Sequence, residues 1–384
     1  MKKIRIVAIV ACVVALCVSA SCRRSANTDD TQDYGDYMEM PDTLTYHSRY
    51  LSISDHNDGT VTVNVSDPWN EGAYIGKYAF VDRDSAVPDY LGKDVEIIRT
   101  PIERAAVFSS VHISAFKELG ILDKLVAVAD GNFFSKNDTV QTLLSEGRII
   151  DVGQSVQPSA ERLAASSAEI VLRSPMQNDV VKLAPGIADI KCIDYMETSP
   201  MGRAEWLLLI GAMTGKINQA KDIFSQVIDE YSRLVFKVGA SSLHNPKVLS
   251  ETEQSGIWYV PAGQSYMARM FADAGAIYPW ADTDGSGSLP LSFENVAIKA
   301  LDADIWLIRS YGYEADSKSL LLANPKYGSF KALKEGAIYS CDTSVSSIFD
   351  DIAFHPERIL ADYVAIFHPD VMTGYELRYF KRHN

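Results

Sequence analysis

The stretch RAAVFSSVHISAFKELGILDKLVAVAD, residues 104 to 130, decides the fold of this chain. It begins with a short apolar run, RAAVFSS, and ends with another, LVAVAD. Between the two runs, HISAFKELG has the apolar spacing of a helix and closes on a glycine. Two strands with a helix between them predict a parallel βαβ unit.

The same alternation continues toward the C-terminus. EIVLRS and DIKCIDY follow as strands, with PSAERLAASS and QNDVVKLA as helices. It resumes with KVLSE, GIWYV, DIWLIRS and AIYSC as strands, and with SYMARMFADAG, SFENVAIKALDA and HPERILADYVAIF as helices. The sequence therefore predicts an α/β protein with two doubly wound lobes, over residues 99–202 and 241–384.

The segment between the lobes, residues 203–240, is predicted to be helical. From Asn218 to Val238 its apolar residues recur at helical spacing and fall on one face. Asn218 suits the N-terminal cap and Gly239 the C-terminal cap. A helix of this length spans about 31 Å, so we expect one long helix to join the two lobes.

A small β extension is predicted ahead of the lobes, over residues 46–98. YLSISDHNDGTVTVNVSDPW alternates apolar and polar residues around Asn57-Asp58-Gly59, which is a hairpin signal. YIGKYAFVD supplies a further strand.

The N-terminus has the features of an export signal. Basic residues precede an apolar run that ends at Val18, and small residues lead to Cys22. The stretch from Ser19 to Cys22 resembles a bacterial lipobox with serine in place of the usual leucine. We predict a signal peptide over 1–21, lipidation of Cys22 and a tether over 22–45, hence a periplasmic or cell-surface protein held by lipid. An ordinary signal peptide with an incidental cysteine is the alternative.

Composition and charge exclude several classes of protein. The 384 residues are 47% hydrophobic and 22% charged, which is typical of a globular chain. The formal charge is −14, and removal of the signal makes it more negative, which argues against nucleic acid or an anionic membrane surface as partner. Cys192 and Cys341 remain in the folded part and are predicted to be free thiols in different lobes, with a disulfide as the alternative.

The loops that follow the predicted strands are rich in aromatic residues. Because ligands of parallel sheets lie beyond the carboxyl ends of the strands, these loops indicate a cleft that binds a large, apolar-edged ligand by stacking. For any one aromatic, packing beneath its own loop is the alternative. The candidate ligand-binding residues are His112, Phe133, Phe134, Tyr195, Trp258, Tyr259, Tyr266, Tyr311 and Phe349.

Catalytic motifs are absent from the sequence. It contains no G-x-S-x-G, P-loop, G-x-G-x-x-G or H-E-x-x-H pattern, so neither an enzyme nor a bound cofactor is predicted. His355 and His368 are each followed by proline and suit the two ends of a helix better than a metal site.

Two acidic residues occupy equivalent places in the two lobes. Glu161 and Glu294 each begin a helix that leads into a strand. An acid is favourable in the first turn of any helix. The alternative is a pair of exposed carboxylates that dock onto a basic partner.

The order and spacing of these segments resemble the two-lobed substrate-binding lipoproteins of ABC importers for metal chelates, namely iron-siderophores, haem and cobalamin. The resemblance runs from about Arg104 to Phe380 and is carried by the opening stretch, IIDVGQSVQPSAERLAASSAEIVL, the joining helix, SFENVAIKALDADIWLI and HPERILADYVAIFHPDV. The form with WYVPAGQSYMARMFADAGA and a preceding β extension is similar to the Bacteroidetes branch.

The resemblance implies a class III periplasmic binding protein whose lobes close little. It implies a monomer that captures a chelate between the lobes and delivers it to an inner-membrane permease, whose arginines contact Glu161 and Glu294. The strand-end loops lack an arginine cluster, Arg173 and Arg309 being the nearest candidates, which disfavours a catecholate and keeps cobalamin open. The alternatives are a free zinc or manganese receptor, an exported chelate-modifying enzyme and a structural or adhesive lipoprotein.

Overall fold

The structure is a computed structural model that describes residues 42–134, 139–241 and 244–383. All of these residues belong to one compact unit, Met40–Asn384. The predicted signal peptide, Cys22 and the tether up to residue 41 lie outside the described residues, as does the side chain of Phe133. None of the helices described is both long enough and apolar enough to cross a membrane.

The described part of the chain begins with a sheet of five strands, in the order β1 to β5. Strands β1 to β4 are antiparallel neighbours, and β5 adds in parallel to β4. Asn57 and Gly59 both have positive φ and make the predicted hairpin turn between β2 and β3. The strands are β1 (Asp42–Thr43), β2 (Leu51–Asp55), β3 (Thr60–Ser66), β4 (Tyr74–Asp82) and β5 (Glu96–Thr100).

Two buried glutamates hold the start of this extension against the joining helices. Glu205, which is fully buried, accepts backbone N–H groups of Tyr46, His47 and Ser48 at 2.7–2.9 Å. Glu197 accepts the next backbone N–H group, that of Arg49, at 3.0 Å. A buried carboxylate needs such donors, so these contacts fix the extension firmly to the rest of the protein.

The first lobe contains a parallel sheet in the order β12-β11-β6-β7-β8. Its core is continuous with that of the β extension, because Ile53 and Phe80 belong to the same buried cluster as Val107 and Leu172. The strands are β6 (Ala105–Val107), β7 (Leu125–Val128), β8 (Ile150–Asp151), the short pair β9 (Gly153–Gln154) and β10 (Gln157–Pro158), β11 (Ile170–Arg173) and β12 (Ala188–Lys191). The helices are α1 (Ser110–Glu118), α2 (Thr139–Ser145) and α3 (Ala160–Ala165).

The helix predicted for QNDVVKLA is wrong. Residues 177–184 form turns and irregular backbone. Asn178 is left-handed at φ 61°, and Val180 is 82% exposed. Leu183 packs only in part against the first-lobe core, so a helix here would bury little apolar surface, and a short helix without a buried apolar face is unstable.

Three helices join the lobes: α4 (Pro200–Ala204), α5 (Leu207–Met213) and α6 (Ile217–Gly239). Helix α6 begins one residue before Asn218, so the predicted cap lies inside the helix. Its 23 residues span about 34 Å. Phe224 and Val227 pack in the first core, and Tyr231 and Leu234 in the second, so one helix supports both lobes as predicted.

The second lobe contains a sheet in the order β13-β17-β18-β19, parallel except for the last strand. GIWYV, expected in this sheet, instead forms the middle strand of a separate antiparallel sheet, β14-β15-β16. The strands are β13 (Val248–Ser250), β14 (Glu253–Gln254), β15 (Ile257–Pro261), β16 (Ser288–Leu291), β17 (Ile305–Ser310), β18 (Ile338–Asp342) and β19 (Lys381–His383). The helices are α7 (Tyr266–Asp273), α8 (Phe293–Ala300), α9 (Ser317–Ala323), α10 (Lys331–Lys334), α11 (Ile348–Asp351) and α12 (Pro356–Phe367).

The lobes meet through two pairs of helices, α1 with α11 and α4 with α7. At the first contact Nζ of Lys117 lies 3.4 Å from Oδ2 of Asp350. The prediction of an α/β protein with two lobes and a long joining helix is confirmed.

Candidate functional site

A cavity of about 510 Å³ lies at the carboxyl ends of the first-lobe strands. The segments that follow β6, β7 and β11 meet there, as expected for parallel strands. Its apolar lining is Phe108, Ala129, Phe134, Val156, Met176, Val180 and Val181. Its polar lining is Ser109, Ser110, Asp130, Ser155, Arg173, Ser174, Gln177, Asn178 and Asp179.

Asp130 follows β7 with a left-handed backbone, at φ 55°. Its Oδ2 accepts the backbone N–H of Ser155 at 3.2 Å. A Cβ at the next residue, Gly131, would lie 2.6 Å from Oδ2 of Asp151, so a larger residue there requires the Asp151 side chain to move. Backbone outliers of this kind concentrate at binding sites, and this one presents a carboxylate to the cavity.

Arg173 ends β11 and is nearly buried, and three of the five N–H groups of its guanidinium point at two carboxylates. Nη1 lies 2.6 Å from Oδ2 of Asp179. Nε and Nη2 donate to the two oxygens of Asp189 at 2.8 and 2.7 Å. Burial alone would lower the pKa of Arg173, but the hydrogen bonds and charges of Asp189 and Asp179 raise it above its ordinary value.

Two of the residues predicted to bind ligand, Phe134 and Tyr195, lie at or near this cavity. Phe134 lines it and is 9% exposed. Tyr195 is half-buried, and its hydroxyl donates to the carbonyl of Pro175 at 2.6 Å, directly after Ser174. The predicted loops of the first lobe therefore do come together around one space.

The strand ends of the second lobe form a second group of loops. Gly312 N–H donates to Oδ1 of Asp342 at 2.8 Å, and Thr343 N–H to the carbonyl of Ser310 at 2.8 Å, which ties the loop after β17 to the loop after β18. Tyr311 is 66% exposed in the first of these loops. Phe349 is 42% exposed on α11, which packs against the first lobe.

An arginine of the second lobe, Arg309, is also paired with a carboxylate. Glu251 follows β13 with φ 64°, and its Oε1 accepts a hydrogen bond from Nε of Arg309 at 2.7 Å. Burial would lower the pKa of Arg309, but the charge of Glu251 raises it far above its ordinary value. Each lobe therefore presents an arginine whose charge is already balanced.

Trp258 was predicted as a ligand contact, and the structure corrects this. It is fully buried, donates from Nε1 to the carbonyl of Ser250 at 2.9 Å, and stacks on Trp306 at a centroid distance of 5.7 Å. Side chains alternate along a strand, so Trp258 points into the core while Tyr259, 45% exposed, points outward.

His112 is also corrected, because it is fully buried in the first turns of α1. Its Nε2 lies 2.8 Å from Oδ1 of Asp194, whose Oδ2 accepts from Nε of Arg203 at 2.9 Å. The guanidinium of Arg203 lies 4.6 Å from the ring centre of Tyr266 on α7. His112 therefore belongs to a buried network that links the first lobe to the second, and Tyr266 covers its far end.

The ionisation of this network follows from its charges. Burial alone would raise the pKa of Asp194, but the charge of Arg203 and the contact with His112 hold it well below its ordinary value. Burial raises the pKa of the neighbouring Cys192 thiol. Asp194, Arg203 and Asp130 were missed at the sequence level, because a single acid or arginine in a loop carries no spacing signal.

One group of metal-ligating side chains occurs among the described residues, namely His112, Cys192 and Asp194. The hydrogen bond from Arg203 already occupies one Asp194 oxygen, and the guanidinium charge opposes a cation there. Cys192 and Cys341 are both free and buried. His355 and His368 occupy the N-cap and C-cap positions of α12, as predicted. The His355 side chain makes no capping hydrogen bond, and its Nδ1 lies 3.0 Å from Oε1 of Glu357.

Glu161 and Glu294 lie in equivalent first turns, on α3 and α8. Each helix is capped by a serine, Ser159 or Ser292, that accepts a backbone N–H at 3.3 Å. Both glutamates are exposed. A hydrogen bond to its own backbone N–H lowers the pKa of Glu294, so it is charged at neutral pH.

A family model described as periplasmic binding protein matches residues 106–345, which cover most of the first lobe, the joining helices and the second lobe as far as the loop after β18. The chain belongs to the periplasmic binding protein family. An uncharacterized lipoprotein of Methanocaldococcus jannaschii is 26% identical to this binding protein, over 100% of this chain and 97% of its own length. A second uncharacterized lipoprotein of that organism is 25% identical over 81% of this chain and 83% of its own.

Solved structures with the fold of this binding protein include the three that follow. The TroA-like periplasmic binding protein FepB of Veillonella parvula has a TM-score of 0.57 at 16% identity, covering 74% of this chain and 96% of its own. A periplasmic heme binding protein of Pseudomonas aeruginosa scores 0.55 at 17% identity, over 73% and 98%. An ABC-type Fe3+-hydroxamate transport system of Saccharomonospora viridis scores 0.51 at 17% identity, over 70% and 94%. At these identities the likeness supports the fold.

Proposed function

We propose that this protein is the substrate-binding component of an ABC importer and captures a metal chelate between its lobes. The observation that carries the proposal is the cavity of about 510 Å³ at the strand ends of the first lobe. Pockets for small molecules measure about 300–1,000 Å³ and combine apolar walls with a few polar groups. The lining of this cavity has that character.

The second lobe offers the other wall of the proposed site. Tyr311 is exposed in the loop after β17 and Phe349 on α11, and Tyr259 is exposed on the outer face of its small sheet. Exposed aromatic rings lose little conformational entropy when they stack on a ligand. We propose that these three residues close over a chelate that rests on Phe134 and Tyr195.

Delivery completes the proposed function. Glu161 and Glu294 are exposed carboxylates at matching positions, one in each lobe, and we propose that both contact basic residues of the permease. The helix α6 restrains the lobes from moving far apart, because its buried face packs in both cores. Lipid attachment at Cys22 would keep the protein near the membrane.

A cavity-filling variant tests the proposed site. Ser109 lines the cavity and its side chain makes no helix-capping bond, so Ser109→Trp should fill the space without unfolding the protein. Ser329→Trp, on an exposed turn of the second lobe, is the matched control. In titrations with ferric siderophores, haem and cobalamin, the chelate that binds the wild type should bind Ser329→Trp equally and Ser109→Trp at least tenfold more weakly. Equal binding by all three proteins would place the ligand elsewhere.

A further inference from the structure

We infer that the chelate is neutral or positively charged and has apolar edges. This rests on the proposed function and adds the charge class of the substrate. The lining of the cavity carries two carboxylates, Asp130 and Asp179, and Arg173 is the single cation among the described residues that line it. An anionic ligand would have to be attracted by that one guanidinium.

Most of the hydrogen-bonding capacity of Arg173 is already used within this chain. Its Nη1, Nε and Nη2 are all directed at carboxylates, those of Asp179 and Asp189. A guanidinium recognises an anion through paired, planar hydrogen bonds, and here the oxygens of this chain already make those bonds. An anionic ligand would find only the two remaining N–H groups of a guanidinium whose charge Asp179 and Asp189 already balance, so its net attraction to this arginine would be small.

Two other arginines near the lobe junction are also paired with carboxylates. Arg309 is bound by Glu251 at the strand ends of the second lobe. Arg203 is bound by Asp194 and covered by the ring of Tyr266. Lys182 follows Val181, the last residue in the cavity lining. It is exposed and is not itself part of the lining.

Asp130 makes the net charge of the cavity lining more negative. Its carboxylate accepts a backbone N–H from Ser155, and no ion pair to it occurs among the described residues. Its left-handed backbone, at φ 55°, holds it at the end of the strand. A carboxylate held at a partly desolvated wall repels anions and attracts cations more strongly than one in bulk water.

The remaining lining suits a ligand with amide or methyl edges. Val156, Met176 and Val180 are 64, 67 and 82% exposed around the cavity, and burial of such side chains favours an apolar-edged partner. Ser109, Ser174 and Gln177 are uncharged donors and acceptors that suit amide groups. Hydroxamate chelates and corrinoids have this chemistry, whereas tris-catecholates and haem carry negative charge.

A charge-graded titration of the full-length protein tests the inference. The probes are a cationic linear ferric trihydroxamate, a neutral cyclic ferric trihydroxamate, neutral cyanocobalamin, a ferric tris-catecholate of charge −3, and haem. We expect one of the first three probes to bind at least tenfold more tightly than either anionic probe. Tightest binding by the tris-catecholate or by haem would overturn the charge inference and leave the proposed function standing. No binding by any probe would overturn both.

A matched pair of substitutions tests whether Asp130 causes the preference for a cationic over a neutral chelate. Asp130→Asn keeps the shape and tolerates a left-handed backbone, whereas Asp123→Asn makes the same charge change at the opposite end of β7, outside the cavity lining. Asp130→Asn should reduce the affinity for the cationic trihydroxamate relative to the neutral one about fivefold, and Asp123→Asn should leave that ratio unchanged. An unchanged ratio in Asp130→Asn would overturn the role of this residue.

Discussion

Nε of Arg203 lies 2.9 Å from Oδ2 of Asp194, and both side chains are buried where the joining helices leave the first lobe. Tyr266 of the second lobe lies over the guanidinium at 4.6 Å. One buried ion pair therefore contacts both lobes at the base of the proposed cleft. Such a pair specifies how the parts fit together more than it adds stability.

Breaking this pair should destabilise the protein strongly. Arg203→Met leaves Asp194 buried without its cation, and removal of one partner of a buried pair costs about 3–5 kcal/mol. We expect the free energy of unfolding in urea to fall by that amount. The double variant Arg203→Met with Asp194→Leu is the control, because it removes both the guanidinium and the carboxylate. It also removes the hydrogen-bond partner of His112, so it should recover part of the loss. A double variant as unstable as the single one would show that the pair does not act as a unit.

The same pair predicts how stability changes in acid. The pKa of Asp194 is depressed in the folded state, and an unfolded aspartate titrates near pH 4. The unfolded chain therefore binds more protons than the folded one below about pH 4. The stability that Asp194 contributes is complete above this pH and is lost as the pH falls below it. Urea unfolding between pH 5 and 3 should show a steeper loss in the wild type than in the double variant, and equal slopes would contradict the prediction.

Trp258 and Tyr259 should behave in opposite ways. Trp258→Ala leaves a cavity beside Trp306 and should lower the free energy of unfolding by about 3–5 kcal/mol. Tyr259→Ala removes an outward-facing ring and should change it by less than about 1 kcal/mol. Ligand titration should show weaker binding for Tyr259→Ala. Unchanged affinity would remove Tyr259 from the proposed wall.

The carboxylates proposed to contact the permease can be separated from ligand binding. Glu161→Lys with Glu294→Lys should abolish uptake of the chelate by cells and leave its affinity for the purified protein unchanged, because both glutamates are exposed and lie outside the cavity lining. Glu146→Lys with Glu335→Lys makes the same charge change at other exposed positions of the two lobes and should support normal uptake. If the control pair also stopped uptake, the effect would be one of net charge alone.

The sequence predicted the fold well because its periodic signals are long and repeated. The βαβ stretch at 104–130 and the apolar face of α6 both appear in the structure close to their predicted limits. The errors fall where periodicity is short. QNDVVKLA has apolar residues at helical spacing but buries little of their surface, and GIWYV could not reveal that it pairs in an antiparallel sheet.

The candidate site was predictable as a set of loops but not as a set of contacts. Strand-end loops of a parallel sheet converge whatever their side chains, so the segments after β6, β7 and β11 line one cavity. Whether a ring faces that cavity depends on which side of its strand or helix it projects from. The sequence did not show this, and Trp258 and His112 are in fact buried. The pairing of Arg173 with Asp189 depends on the distance between neighbouring strands, and spacing in the sequence does not carry it.

Native mass spectrometry of the purified protein, mixed in turn with haem, cobalamin and ferric siderophores, tests the central claim most directly. The account predicts a complex of one protein with one chelate, whose mass and absorption spectrum are unchanged on release. Only the ligand-free mass with every chelate, or release of a chemically altered chelate, would contradict it.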